Sequence, residues 1–177
     1  WLGSRLHLYQ IHSATMESGV LEDRDVLAQL AGIRAQGVSI GLSVTGPRQA
    51  ATIRKALDAK VDGVNVFETV QATWNLLEPS AGAALAEAKA RGWGVIVKEV
   101  LANGRLTDRH AADDDRLMRA ARAMHTSVDA LAIAAALSQP WADLVLSGAV
   151  TTAHLRSHLS ALALTHAGLD IPAVAEP

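Results

Sequence analysis

The chain has 177 residues, 18 acidic side chains against 16 lysines and arginines, and a formal charge of −2, so it holds one ordinary domain and shows no electrostatic footprint for nucleic acid. Half of the residues are apolar and 19% are charged, which excludes a disordered chain, and no apolar run approaches the ~20 residues of a membrane helix. The absence of cysteine excludes a disulfide scaffold and fits a reducing, cytoplasmic setting, while a composition of about one-fifth alanine favours closely packed helices.

Short apolar runs alternate with longer helical stretches along the chain. A strand is predicted over 6–12, then a helix over 25–36 that places Val26, Leu27, Leu30 and Ile33 on one face and stops at Gly37. A second strand covers 38–43. Gly46-Pro47 follows as a turn, with proline suited to the first helical position before Ile53, Ala56 and Leu57. A third strand is expected over 68–73, a helix over 79–91 ending at Gly92, and a buried strand over 94–98. Helices over 113–124 and 127–137, a short strand over 143–146 and a final helix capped by Thr151 or Thr152 complete the ordered part. Leu155, Leu159 and Leu162 lie on that last helix, and residues 165–177 form a loose tail.

Strands separated by helices define parallel βαβ units in a single α/β domain over 1–177. An open nucleotide-binding sheet calls for a glycine-rich phosphate loop after its first strand, yet that strand runs into His12-Ser13-Ala14-Thr15. A parallel barrel of the (β/α)8 TIM type is therefore preferred, represented by about five strands and their helices where a full barrel takes about 250 residues. Barrels place chemistry at the C-terminal strand ends. Here those ends carry His12, Ser43, Gln71, Lys98-Glu99 and Ser147-Gly148.

The runs LHLYQIHS from Leu6, VSIGLSVTGP from Val38, VQATWNLLEP from Val70, GVIVKEVLANGRLT from Gly94 and VLSGAVTTAHL from Val145 together resemble the aldo-keto reductase superfamily. Its bacterial NADP-dependent oxidoreductases are the nearest in pattern, and the match runs in family order from Leu6 to about Leu164. The resemblance implies a (β/α)8 barrel that reduces aldehydes and ketones with NADPH, NADH remaining open as the cofactor. It also implies a tetrad of Asp, Tyr, Lys and His. Only His12 matches that tetrad, so the sequence corresponds to the C-terminal five-eighths of a reductase, with the N-terminal strands expected elsewhere.

By the same resemblance His12 polarises the substrate carbonyl, and Ser43 and Gln71 hold the nicotinamide carboxamide. Leu101 and Asn103 fall in the segment that lines the nicotinamide and spans the pyrophosphate. Gly148, Thr151, His154, Arg156 and His158 fall where relatives bind the adenosine 2′-phosphate. Val44, Lys98, His154 and His158 depart from the residues common in relatives, which carry an Asn, an aromatic, an Arg and an Asn there. A barrel phosphate site after strands seven and eight gives the Ser147–His158 segment an independent rationale. His154 and His158 stand at zinc-compatible spacing, but no third ligand is evident and no metal is expected.

The substrate is expected to be a small carbonyl or alcohol, with neither nucleic acid nor membrane as partner. Five strands also leave two open edges through which copies can associate. The rival readings are a non-catalytic protein that binds a nicotinamide nucleotide or a partner, and a barrel lyase or isomerase that uses only the phosphate site.

Overall fold

The central strands, over 39–44, 69–73 and 94–98, alternate large apolar residues with small or polar ones, so each buries a large apolar face in a helix-covered core and leaves the other for different use. The computed structural model describes residues 5–108 and 115–166. Chain order is β1 (Leu8–Ala14), α1 (Arg24–Arg34), β2 (Ser39–Val44), α2 (Gln49–Leu57), β3 (Lys60–Val61), β4 (Val64–Asn65), β5 (Thr69–Thr73), α3 (Gly82–Ala90) and β6 (Gly94–Lys98). Then follow α4 (Asp115–Ala123), α5 (Val128–Leu137), β7 (Leu144–Val145) and α6 (Thr152–His166). Five strands form a parallel sheet in the order β1-β2-β5-β6-β7, and β3 and β4 make a separate antiparallel hairpin. This is the α/β pattern of a partial barrel. The chain divides into two compact units, 1–72 with 80–96, and 73–79 with 97–177.

In the first unit, Ile40, Leu42 and Val44 of β2 and Val70 of β5 are wholly buried on one sheet face, together with Ile53, Leu57 and Leu85 from α2 and α3. Burying each such side chain contributes roughly 1.5–3 kcal/mol. Phe67 meets Trp93 at 6.2 Å between ring centroids. The other sheet face is small and polar. Gln10, Gly41 and Thr69 lie in register across β1, β2 and β5. A Cβ on residue 41 would stand 2.0 Å from Thr69 Oγ1, so only glycine leaves room for that threonine. Gln10 Nε2 and Thr69 Oγ1 are buried there without a hydrogen-bond partner among the described residues.

Arginine–carboxylate pairs stitch the rim of this unit. Arg34 reaches Glu68 at 2.6 Å, Arg54 reaches Glu87 at 2.6 Å and Arg91 reaches Asp58 at 2.8 Å. The β3–β4 hairpin turns at Asp62 (φ 51°) and Gly63 (φ 80°), the two positive-φ positions of a type I′ turn.

The second unit is built on α5, where Val128 and residues 130–136 are all buried. Its alanines let neighbouring elements approach closely, and Leu106, Leu117, Ala121 and Leu131 form a cluster against it. Ser127 caps α5 by accepting from Ala130 N–H, and Asp108 Oδ1 accepts from Val128 N–H at 3.0 Å. Trp74 and Trp141 pack edge to face at 5.6 Å. β7 joins β6 through Leu146 N–H to the Val97 carbonyl, 2.9 Å.

Several expectations are adjusted. β1 starts and ends two residues later than the predicted 6–12, because a bulge carries pairing on to Ala14. Pro47 is not the first helical residue: Gly46 (φ 80°) makes the turn, Arg48 is the N-cap and α2 begins at Gln49. α3 is shorter than 79–91, beginning at Gly82. Thr151 caps α6, accepting from His154 N–H at 3.1 Å. Leu155, Leu159 and Leu162 are 46%, 55% and 46% exposed, so the leucine face of α6 is uncovered among the described residues. The start of the helix predicted over 113–124 and the tail beyond residue 166 lie outside the described residues. No helix among the described residues is long and apolar enough to cross a membrane.

Candidate functional site

In the first unit, sheet register assembles the candidates. Ser43 pairs directly with Gln71 across β2 and β5. On the other side, β1 pairs Ile11 with Leu42 and Ala14 with Val44, so His12 and Ser13 together oppose Ser43. That two-against-one arrangement is a β-bulge, a device that re-aims side chains and is frequent beside active sites. Its second residue, Ser13, has φ 54°, a conformation disfavoured for a non-glycine. The Ser13 hydroxyl lies 3.0 Å from His12 Nδ1. The result is a row across three strands: exposed His12, buried Ser43 and half-buried Gln71. Gln71 is the middle residue of β5, not its end.

A cavity of about 580 Å³ in the same unit opens at the start of β2 and is lined by Arg34, Ser39 and Glu68. The Arg34 hydrogen bond holds the Glu68 carboxyl below the usual carboxylate range, against a smaller opposing effect of burial. Arginine and glutamate are thus matched to each other there.

The second unit holds a larger cavity of about 830 Å³. Of the residues singled out in the sequence, Lys98, Glu99, Leu101, Asn103, Ser147, Gly148, His154 and His158 line it. Thr151 and Arg156 are exposed at the start of α6 and are not in its wall. One side of the wall is the loop after β6, where Glu99 (φ 56°), Ala102 (φ 48°) and Asn103 (φ 57°) all adopt left-handed backbone. Such conformations cost of order 1–3 kcal/mol each and cluster at functional sites. Contacts around Glu99 brace the loop. Asn75 Nδ2 donates to the Glu99 carbonyl at 2.9 Å, and Thr73 Oγ1 donates to its carboxylate at 2.9 Å.

The opposite wall is the turn after β7 and the first turns of α6. Gly148 leaves space where a Cβ would meet nothing within 4 Å. His158 is 8% exposed, with Ser147 Oγ 2.7 Å from its Nδ1 and Asp129 Oδ2 3.4 Å from its Nε2. The His154 and His158 rings lie nearly parallel at 6.5 Å. Asp108, Asp129 and Ser157 also line the cavity and were not anticipated. Asp129 stands in the first turn of α5, where helix-dipole interactions favour an acidic residue, so its position alone carries no signal of a site. Among the described residues no three His, Cys, Asp or Glu side chains converge as a metal set.

No protein-family model matches the sequence, and no curated protein matches it. Solved structures do. The sheet and helices place the chain in the α/β class with parallel strands, as part of a (β/α)8 barrel. More particularly, the fold is that of the aldo-keto reductases. Aldo-keto reductase AKR11C1 from Bacillus halodurans, in its holo form, superposes with TM-score 0.68 at 15% identity, over 96% of this chain and 61% of that one. Glycerol dehydrogenase AKR11B4 from Gluconobacter oxydans gives 0.63 at 18% identity, over 97% of this chain and 60% of that one. The thermostable aldo-keto reductase Tm1743, solved with the inhibitor epalrestat, gives 0.60 at 21% identity, over 89% and 54%. The chain thus spans 54–61% of the length of these three structures.

Proposed function

We propose that the chain is the carbonyl- and cofactor-handling portion of a nicotinamide-dependent aldo-keto reductase, with NADPH as its cofactor and NADH as the alternative. The observation that carries this reading is the row of His12, Ser43 and Gln71 on a sheet with the aldo-keto reductase fold. When bound, the nicotinamide supplies a hydride to the substrate carbonyl carbon. Ser43 and Gln71 fit the carboxamide of such a group, since a hydroxyl beside a primary amide offers both donors and acceptors.

His12 is the residue that answers the charge developing on the carbonyl oxygen. If the Ser13 hydroxyl donates to Nδ1, the ring proton sits on Nε2, which then donates to the oxygen and stabilises the alkoxide. The proton that completes the alcohol is assigned to a tyrosine outside this sequence. Tyr9 is the sole tyrosine; it lies 47% exposed on β1, three residues before His12, and is not recruited. In the second unit, Leu101 and Asn103 are assigned to the nicotinamide and pyrophosphate. Gly148, Thr151, His154, Arg156 and His158 are assigned to the adenosine phosphate, in accord with the anion preference of a helix N-terminus.

Titrating the protein with NADPH and with NADH, followed by tryptophan fluorescence, tests the reading. Saturable quenching is expected, and Gln71→Ala should weaken it about 5–30-fold, the equivalent of one or two hydrogen bonds to the carboxamide. Carbonyl reduction detected with this chain alone would exclude the non-catalytic alternative. Failure of both nucleotides to saturate would overturn the proposal.

A further inference from the structure

Ser147, His158 and Asp129 come from the turn after β7, from α6 and from α5, yet they line up at the larger cavity: Ser147 hydrogen-bonds His158 Nδ1, and the Asp129 carboxylate stands 3.4 Å from the other ring nitrogen. The bland account is that serine and aspartate merely satisfy a buried imidazole. Two features go beyond it. Ser147 is exposed and lines the cavity, so its hydroxyl is reachable by a small molecule. The carboxylate, 13% exposed, stands on the ring nitrogen remote from the serine, which favours the proton on Nε2 and leaves the Nδ1 lone pair facing the hydroxyl at 2.7 Å. We propose that Ser147, His158 and Asp129 form a nucleophile–base–carboxylate relay that hydrolyses carboxylic esters with a short apolar acyl group, an activity separate from carbonyl reduction.

In the first half-reaction Ser147 Oγ bonds to the ester carbonyl carbon and its proton passes to His158 Nδ1. The bond to the leaving alcohol then breaks, and the alcohol takes that proton. In the second, water adds to the acyl carbon and gives a proton to His158. The Ser147–acyl bond breaks, the proton returns to Ser147 and the carboxylic acid departs. No electrons are exchanged. Asp129 is a positioning residue throughout, since it touches only the imidazole. The Ala149 N–H, 3.3 Å from Ser147 Oγ, is a backbone donor beside the reacting centre. Leu101, Leu146 and Val150 supply apolar wall for the acyl group.

The test is hydrolysis of p-nitrophenyl acetate by the full chain, with diisopropyl fluorophosphate labelling read by peptide mass. The label is expected on Ser147. Ser147→Ala should lower the turnover about 10²–10³-fold, and Asp129→Asn should lower kcat at least about tenfold with KM unchanged. Circular dichroism and the thermal transition establish that each variant is folded, and labelling of the unaltered protein is independent of any variant. Turnover that is equal in the unaltered protein and Ser147→Ala, or a label on another residue or none, would overturn the relay. The assay contains no nicotinamide nucleotide, so its outcome and that of the nucleotide titration are read separately.

Discussion

The two units position their reactive groups in opposite ways. In the first, His12, Ser43 and Gln71 are set by strand register, so each owes its neighbours to a one-residue choice made along the backbone. In the second, Ser147, His158 and Asp129 meet because two helices and a turn pack together, and the Ser147–His158 hydrogen bond and the nearby carboxylate are consequences of tertiary contact. The first arrangement is sensitive to sheet geometry and tolerant of what packs around it. The second is sensitive to core packing.

The contrast is broken or sharpened most strongly at the two cores. Leu131 is wholly buried in the α4–α5 cluster, and Leu131→Ala should cost about 2–5 kcal/mol in urea unfolding, since transfer and cavity terms add. Such a change should also disturb the Ser147–His158–Asp129 line, because Asp129 sits two residues away on the same helix. A loss under about 1 kcal/mol would show that α5 can repack freely. The first unit should fail by the reverse mechanism. Gly41→Ala would drive a methyl to 2.0 Å from Thr69 Oγ1 and 3.1 Å from the Thr69 carbonyl, at a cost of about 1–3 kcal/mol. Thr69→Ala in the same chain should restore a substantial part of that loss. No restoration would mean that the backbone contact, not the hydroxyl, governs the site.

How much of this was legible in the sequence follows the same division. β6 matches its predicted span 94–98 residue for residue, and Ser127 caps the helix expected over 127–137, because apolar runs and caps are local signals. The bulge at His12–Ser13 was not legible; a polar His-Ser pair after an apolar run looks like a strand end, and only pairing with β2 shows the strand continuing. The β3–β4 hairpin went unpredicted although Asp62-Gly63 is a strong local turn signal. Asp129 could not be tied to His158 from sequence, since 29 positions separate them and their contact depends on how α5 meets α6. The leucines of α6 follow helical spacing correctly but remain exposed, because periodicity predicts a face without supplying its cover.

The smallest expected effect probes the polar stitching that marks the first unit. Arg34 hydrogen-bonds Glu68 and lowers its carboxyl below the ordinary range, with Ser39 and the Ile40 backbone contributing less. A carboxyl depressed in the folded state contributes stability that is fully present above its unfolded value, near ~4.3, and is lost as pH falls through the lower folded value. The Glu68 side chain is 37% exposed, so solvent screening limits the contribution to about 1 kcal/mol at most. Between pH 6 and pH 3, the urea midpoint of the unaltered protein should therefore fall more than that of Arg34→Gln. Arg34 also donates to the Asn65 carbonyl at 2.7 Å, a loss that shifts Arg34→Gln equally at both pH values and cancels in the difference. Glu87, lowered by its hydrogen bond from Arg54, provides a background acid dependence common to both proteins. Parallel pH profiles for the two would show that the Arg34–Glu68 pair shapes the rim of the smaller cavity without stabilising the fold.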